Sequence, residues 1–333
     1  MNRIALFLII CLVTWTVSPA SSTAKEQTPE DLAEERMAYY LKYEALTLVP
    51  WYYLAAVDQF ERNIQQVRKD IPKRDSLISI QFSPDYWAGS LNPNQEDKAP
   101  ESILYFGGHG LDGNGDGLAD RMDDEDVLYT MSRYLQRYGH TEDDFKIALW
   151  EYYGREKSVD QIVTIARLFK HFQRIDLTER VFPLPLHVSY SYRSTWGDGR
   201  GWGGRRIHEG TDIFAGYGVP VRATTYGIIE VMGWNNYGGW RVGIRDHLNN
   251  YHYFAHLAGF NKELKEGDIV EPGTIIGYVG SSGYGKPGTS GKFPPHLHYG
   301  IYKDNGRTEW AYDPFPSLVQ WEKMERQSKR KKR

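Results

Sequence analysis

Cysteine is all but absent. Cys11 is the single one in 333 residues, and it follows Ile10 rather than the small residue a lipoprotein signal requires. Beyond the amino terminus the chain therefore has no disulfides and no thiolate nucleophile, and any zinc site must be built from histidine and carboxylate. Long apolar runs are also scarce. The run from Ile4 to Val17 is shorter than the roughly 20 residues of a comfortable membrane span. With Arg3 before it and Ser22-Thr23-Ala24 after it, residues 1–24 read as an export signal, with an uncleaved amino-terminal anchor as the alternative. No excess of one charge sign is present either. A formal net charge of -3 gives no global signal for nucleic acid, so none is expected as a partner. No fixed-period repeat is visible.

What is present divides into a helical front and a β-rich back. Leu32, Met37, Tyr40 and Leu41 are spaced helically behind Thr28-Pro29, and Pro50 opens a second helix. Thr141 with Asp144, and Ser158 with Gln161, read as two further capping boxes, the latter followed by Ile162, Ile165, Ala166 and Phe169. Around Phe182-Pro-Leu-Pro185 this pattern stops. Short alternating segments broken by glycine follow at Ile228 to Met232, Arg241 to Ile244, Tyr251 to Phe254, Ile275 to Val279 and His298 to Tyr302. The expected organisation is α+β and multidomain: an all-α domain over 25–180, an all-β antiparallel domain over 186–320, and a basic tail over 321–333 whose final run, Lys329-Arg-Lys-Lys-Arg333, reads as disordered and solvated.

The chemistry concentrates in the β-rich part. His208-Glu-Gly-Thr-Asp212 and His296-Leu-His298 place metal-ligating side chains at i, i+4 and i, i+2, spacings that share one face of a strand, while Leu297 turns into a core. A helix would also unite His208 and Asp212, but Gly210, Thr211 and the β-prone Ile213-Phe214 favour extended chain. The same feature weighs against reading His208-Glu209 as the start of an H-E-x-x-H helix, where position 212 is in any case aspartate. His256 stands between the two patterns in Tyr-Phe-Ala-His256-Leu. His109, His140, His171, His187, His247 and His252 show no such grouping and read as surface or satisfied core residues.

The order H-x-G-x-D (His208 to Asp212), Y-x-x-H-L (Tyr253 to Leu257), G-D-x-V-x-x-G-x-x-I-G-x-x-G (Gly267 to Gly280) and P-H-L-H-Y (Pro295 to Tyr299) closely resembles the lysostaphin/LytM-type zinc metallopeptidases, which cut peptides of bacterial peptidoglycan. The likeness covers roughly residues 186–305. It implies that His208, Asp212 and His298 bind Zn2+ and that His256 and His296 are the catalytic pair. One departure is the longer Gly- and Ser-rich loop from Ser281 to Pro294, where the family shows a compact turn. The aromatic loop Trp196 to Gly204 reads either as a facing wall of the cleft or as a segment packed on its own domain.

A second, shorter resemblance lies in the front half. Pro50-Trp-Tyr-Tyr-Leu54-Ala-Ala-Val57-Asp-Gln-Phe-Glu61 and Ile80-Gln81-Phe82-Ser-Pro84-Asp-Tyr-Trp87 are similar to segments of lytic transglycosylases, which implies a lysozyme-like fold, either with Glu61 as the glycan-cleaving acid or, the favoured reading, as a glycan-binding or structural remnant. Arg62 beside Glu61 is expected to depress its pKa and oppose the cleaving role. Asp112-Gly-Asn114-Gly-Asp116-Gly117-Leu-Ala-Asp120-Arg-Met-Asp123 has the spacing of a calcium loop, read as a structural Ca2+ site or an acidic turn without metal. The combined order of domains resembles the sporulation L-Ala-D-Glu endopeptidase type. The implied function is hydrolysis of peptidoglycan stem peptides in an extracytoplasmic space, cell wall or spore cortex. The alternatives are a bifunctional hydrolase that also cuts glycan through Glu61, and a wall-binding or hydrolase-activating protein without catalysis. The basic tail would meet anionic wall polymer or a membrane surface.

Overall fold

The computed structural model describes residues 28–331 except 75 and 203, so the expected export signal lies outside the described residues. Helix α1 (Pro29–Thr47) starts at the expected cap, Thr28, which forms a capping box with Asp31: Thr28 Oγ1 accepts from the Asp31 amide and the Asp31 carboxylate accepts from the Thr28 amide. Helix α2 (Trp51–Val67) follows Pro50 and is the buried axis of the helical half, with Leu54, Ala55, Ala56, Val57 and Phe60 fully enclosed. Short helices α3 (Pro84–Ala88) and α4 (Pro100–Tyr105) precede α5 (Asp124–Gln136), which had no counterpart in the sequence reading because its cap, Asp123, belongs to the acidic run. Helix α6 (Glu142–Tyr153) carries the Thr141 and Asp144 box as expected. Helix α7 (Glu156–Phe172) does not start at Ser158. Its cap is Arg155, and Ser158 and Gln161 are buried inside the helix.

The second half is antiparallel throughout. Its strands are β1 (Tyr190–Tyr192), β2 (Gly199–Arg200), β3 (Arg206–Ile207), β4 (Thr211–Ala215), β5 (Pro220–Arg222), β6 (Gly227–Asn235), β7 (Gly239–Arg245), β8 (Asn250–Phe260), β9 (Ile269–Val270), β10 (Ile275–Val279), β11 (His296–Asp304) and β12 (Glu309–Tyr312). The main sheet runs β1-β4-β11-β8-β7-β6-β9, with β12 beside β11 and β10 joining β8 to β5, while β2 and β3 pair separately. Strand alternation sends Ile213, Leu297, Tyr299, Phe254, Val242 and Ile244 into one continuous core. Register then fixes what the opposite face carries: Asp212 lies across from His298, His298 from Ala255, and Gly300 from Tyr253.

Residues 321–331 are not a tail, and residues 329–331, expected to be disordered, are helical. Helix α8 (Phe315–Lys331) runs through them and is tied to the sheet: Tyr190 and Tyr192 donate to Glu322, and Arg222 pairs with Glu325 at 2.9 Å. The two halves also meet directly. Arg155 holds the fully buried Asp304 through two bonds of 3.0 and 2.7 Å, Asn63 Nδ2 donates to the His247 carbonyl, and Tyr226 and Ile228 of the β half join the helical core.

Candidate metal centre

Two neighbouring strands and one turn assemble the centre. His298 on β11 and Asp212 on β4 are cross-strand partners, and His298 Nδ1 lies 3.1 Å from Asp212 Oδ1. His296 and His298 share one face while Leu297 is buried on the other, as the i, i+2 spacing requires. His208 arrives differently from the strand reading. A continuous strand would carry it about 13 Å from Asp212, yet His208 Nε2 is 3.1 Å from Asp212 Oδ1 and 2.8 Å from His298 Nδ1. His208 precedes β4 and follows β3, and the bend at Glu209-Gly210 folds it back. Gly210 is required there: a Cβ would lie 2.5 Å from His298 Cε1 and 2.7 Å from the Tyr299 carbonyl. Thr195, which the sequence reading did not single out, supports both ligands. Its carbonyl accepts from His208 Nδ1, and its hydroxyl accepts from the Asp212 amide.

His256 reaches the same face by a break in alternation. Phe254 and Leu257 both point into the core, so one residue between them must be out of step. A register shift on each side of β8 and a φ of +62° at His256 supply that step and turn the imidazole toward the cleft. The left-handed conformation of a non-glycine residue costs roughly 1 kcal/mol or more. His256 and His296 then lie with ring centroids 4.8 Å apart. Each donates from Nδ1 to a carbonyl, of Ser282 and of Pro294, both at 2.8 Å, which leaves Nε2 of each ring as an acceptor.

Burial decides the charges here. It pushes the His256 imidazole down to about 3, with His296 and His298 adding to the effect, and it also lowers His296 and His298. For Asp212 burial works the other way and is overcome. Hydrogen bonds from His208 and His298 hold its carboxyl far below the usual range, and the Arg200 guanidinium sits 2.5 Å from Oδ2. Among the described residues, His208, Asp212 and His298 are the one group of three His, Cys, Asp or Glu side chains placed to hold a metal ion.

The centre is part of the lining of a cleft of about 690 Å³. Trp202, from the loop before His208, stacks on Tyr284 of the Ser281 to Pro294 segment at 4.7 Å and 11°, so the two long loops meet beside the site. Phe293 packs on both His256 and His296. Glu209 is exposed, with Tyr302 Oη donating to it at 3.4 Å, and the chain around it is not helical. Arg200 was missed by motif reading, since nothing in a glycine-rich aromatic loop marks which side chain turns inward.

In the helical half Glu61 departs from expectation. Arg62 turns away to Asp58 and the Leu77 carbonyl, and burial pushes the Glu61 carboxyl up to about 7 despite a 2.7 Å bond from Tyr153 and with help from Asp58. Phe82, Tyr86, Tyr134 and Tyr152 form an aromatic cluster nearby, in which Tyr152 donates to the Gln81 carbonyl. In the acidic loop, Asp112 accepts from the Gly115 and Gly117 amides, Asp120 pairs with Lys98, and Asp123 caps α5. Asp126, outside the motif, accepts from Gly113 and Asp120 and is pushed up to about 6 by burial.

Comparison with known proteins gives a consistent set of likenesses. A family model described as Peptidase family M23 matches residues 206–313. Over 321 residues the chain is 57% identical to an L-Ala--D-Glu endopeptidase of Bacillus subtilis (strain 168), covering 96% of this chain and 98% of that protein. It is 37% identical over 114 residues to lysostaphin of Staphylococcus staphylolyticus, covering 34% of this chain and 22% of that protein. Among solved structures, the catalytic domain of lysostaphin from Staphylococcus simulans shares 33% identity at a TM-score of 0.31, covering 40% of this chain and 92% of that one.

Proposed function

The chain belongs to peptidase family M23, and from that membership we propose that it is a zinc-dependent endopeptidase that hydrolyses peptidoglycan stem peptides between L-Ala and D-Glu. One observation carries the reading: His208, Asp212 and His298 converge in a cleft that also holds two neutral, carbonyl-anchored histidines. The likeness to an L-Ala--D-Glu endopeptidase along nearly its whole length supports the choice of bond.

The donor set fits the metal. A tetrahedral ion with ligand distances of about 2.0 to 2.1 Å needs donor atoms roughly 3.3 Å apart. His208 Nε2, His298 Nδ1 and Asp212 Oδ1 are separated by 2.8, 3.1 and 3.1 Å and include no thiolate. These three residues would hold the ion. When bound, it supplies electrophilic chemistry, polarising a carbonyl and making water more acidic. His256 and His296 do the proton work. One neutral Nε2 takes a proton from the water whose oxygen attacks the scissile carbonyl carbon. As the C-N bond breaks, the leaving nitrogen receives a proton and departs as an amine. Anchoring Nδ1 to a carbonyl fixes both tautomers before substrate arrives, and Phe293 packs on both rings.

The helical part, up to residue 180, is assigned to a lysozyme-like module that presents the polymer, with the peptidase from residue 186 through α8. A second activity, glycan cleavage through Glu61, is favoured by its carboxyl standing near 7, where a carboxylic acid still donates a proton at neutral pH. We assign the protein to an extracytoplasmic location in wall or spore cortex. Contact of the basic end of α8 with anionic wall polymer completes the assignment; the carboxylates of the Asp112 to Asp123 loop serve backbone amides, Lys98 and the cap of α5 instead of converging on a Ca2+ site.

Digestion of purified peptidoglycan followed by mass analysis tests the whole reading. New D-Glu amino termini that disappear with a strong zinc chelator and return with added zinc are expected. Peptide cleavage untouched by chelation overturns the metal assignment, anhydro-sugars mark the Glu61 activity, and no product of either kind points to a binding protein.

A further inference from the structure

The cleft holds more positive charge than its own carboxylates use. Arg200 is spent on Asp212, and Glu309 is taken by Arg245 and Lys157. Arg206 and Arg241 also line the cleft, yet among the described residues neither is within ion-pair distance of a carboxylate, and Nε of each is buried without a hydrogen-bond partner. The one remaining acidic side chain on the lining, Glu209, lies against Tyr302.

The fold aims both arginines at the same place. Val242 of β7 is in the core, so Arg241 beside it stands on the cleft face, the face that carries Tyr253 opposite Gly243. Arg206, on β3 two residues before His208, lies over the Tyr237 ring at 5.0 Å. Tyr253 feels both charges, Arg241 first and Arg206 second, although burial still pushes its phenol up to about 12. With no carboxylate of the described residues paired to them, the two guanidinium heads on the cleft lining are available to an anion that enters it.

The substrate chemistry supplies such an anion. In an L-Ala-D-Glu bond the glutamate nitrogen belongs to the scissile amide. Glutamate has two carboxyls, and whichever one continues the peptide, the other is free and ionised within a few bonds of that nitrogen. A pair of uncommitted arginines beside the metal ligands is what such a carboxylate recognises, through charge-assisted bonds that a carboxamide of the same shape cannot replace.

We propose that Arg206 and Arg241 form a carboxylate-binding subsite that selects a residue with a free carboxylate on the amine side of the scissile bond. The assignment rests on the endopeptidase reading given above. It makes the two arginines specificity determinants, separate from the histidines that hold metal or move protons.

The test uses the zinc-loaded full chain and two peptidoglycan fragments that differ only in the free carboxyl of D-Glu, present as carboxylate or as carboxamide. The readout is the ratio of kcat/KM for the two, which misfolding of a variant leaves unchanged because it lowers both rates together. The wild type is expected to prefer the carboxylate by about 100-fold or more. Arg206→Gln with Arg241→Gln should bring the ratio to within about fivefold of unity, and Arg241→Lys with Arg206→Lys should restore part of it, since charge returns without the planar fork. A wild type that cuts both fragments equally, or a double variant that keeps the preference, overturns the subsite and leaves the endopeptidase standing. If neither fragment is cut and whole peptidoglycan yields no new D-Glu amino termini, the endopeptidase reading fails and the subsite fails with it.

Discussion

Replacing Glu61 by glutamine should change how stability depends on pH, and the size of the effect follows from the structure. The Glu61 carboxyl stands at about 7 against an ordinary 4.5, because burial disfavours its charged form. The difference of about 2.5 units corresponds to roughly 3 kcal/mol at about 1.36 kcal/mol per unit. The sign is that of a raised carboxyl. The folded protein binds the proton more tightly than the unfolded chain, so its stabilisation is full below about pH 4.5 and is lost as pH rises through about 7. Above that, the folded state carries a half-buried carboxylate that accepts a hydrogen bond from the Tyr153 hydroxyl. Glu61→Gln keeps the shape and an acceptor for Tyr153 but has nothing to titrate. Relative to wild type, the variant should therefore gain about 3 kcal/mol between roughly pH 4 and pH 8, or about 6 to 12 °C in melting temperature for a unit of this size. Thermal unfolding of the two proteins followed by helical circular dichroism across that range measures it, with effects common to both cancelling. Parallel curves would refute the buried-acid account and with it the basis for a glycan-cleaving role.

Three further perturbations probe the β half and the seam. Gly210→Ala should push the His298 ring aside and weaken zinc binding by about 10-fold or more, measured against a competing chelator, because its Cβ would meet His298 Cε1 at 2.5 Å; unchanged affinity would show that the bend is not what sets the ligand. His256→Ala should keep stoichiometric zinc while losing about 100- to 10,000-fold in kcat, and a retained rate removes that imidazole from the mechanism. Arg155→Met should cost about 3 to 5 kcal/mol in unfolding experiments, since it strands Asp304, which is fully buried; adding Asp304→Asn should recover much of the loss, and a single variant as stable as wild type sinks the argument.

The parts of this protein that were legible in its sequence are those governed by short periods. His296 and His298 share a face and Leu297 is buried because strand alternation allows nothing else. The cap at Thr28 and the box at Thr141 start helices because side chain and amide satisfy each other within three residues. What failed depended on departures from period or on distant partners. His208 meets Asp212 through a bend rather than along a strand, and His256 faces the cleft only because β8 is bulged at that residue. The start of α7 escaped notice because Arg155 is directed by Asp304, 149 positions away. Arg62 was expected to act on Glu61 as its neighbour in sequence. Adjacent residues on a helix point about 100° apart, and Arg62 turns to Asp58, one turn earlier on its own side. The pairing of Arg200 with Asp212 lies in a loop and carries no periodic signal.

Strand β11 runs from the metal centre to the seam between the two halves. His296 and His298 begin it, and Asp304, clamped by Arg155 at the root of α7, ends it. From His298 to Asp304 the extended chain spans about 20 Å, with no linker along the way. The two halves are thus graduations on one rigid ruler: whatever sits at the root of α7 and whatever sits at the histidines keep a set distance from each other.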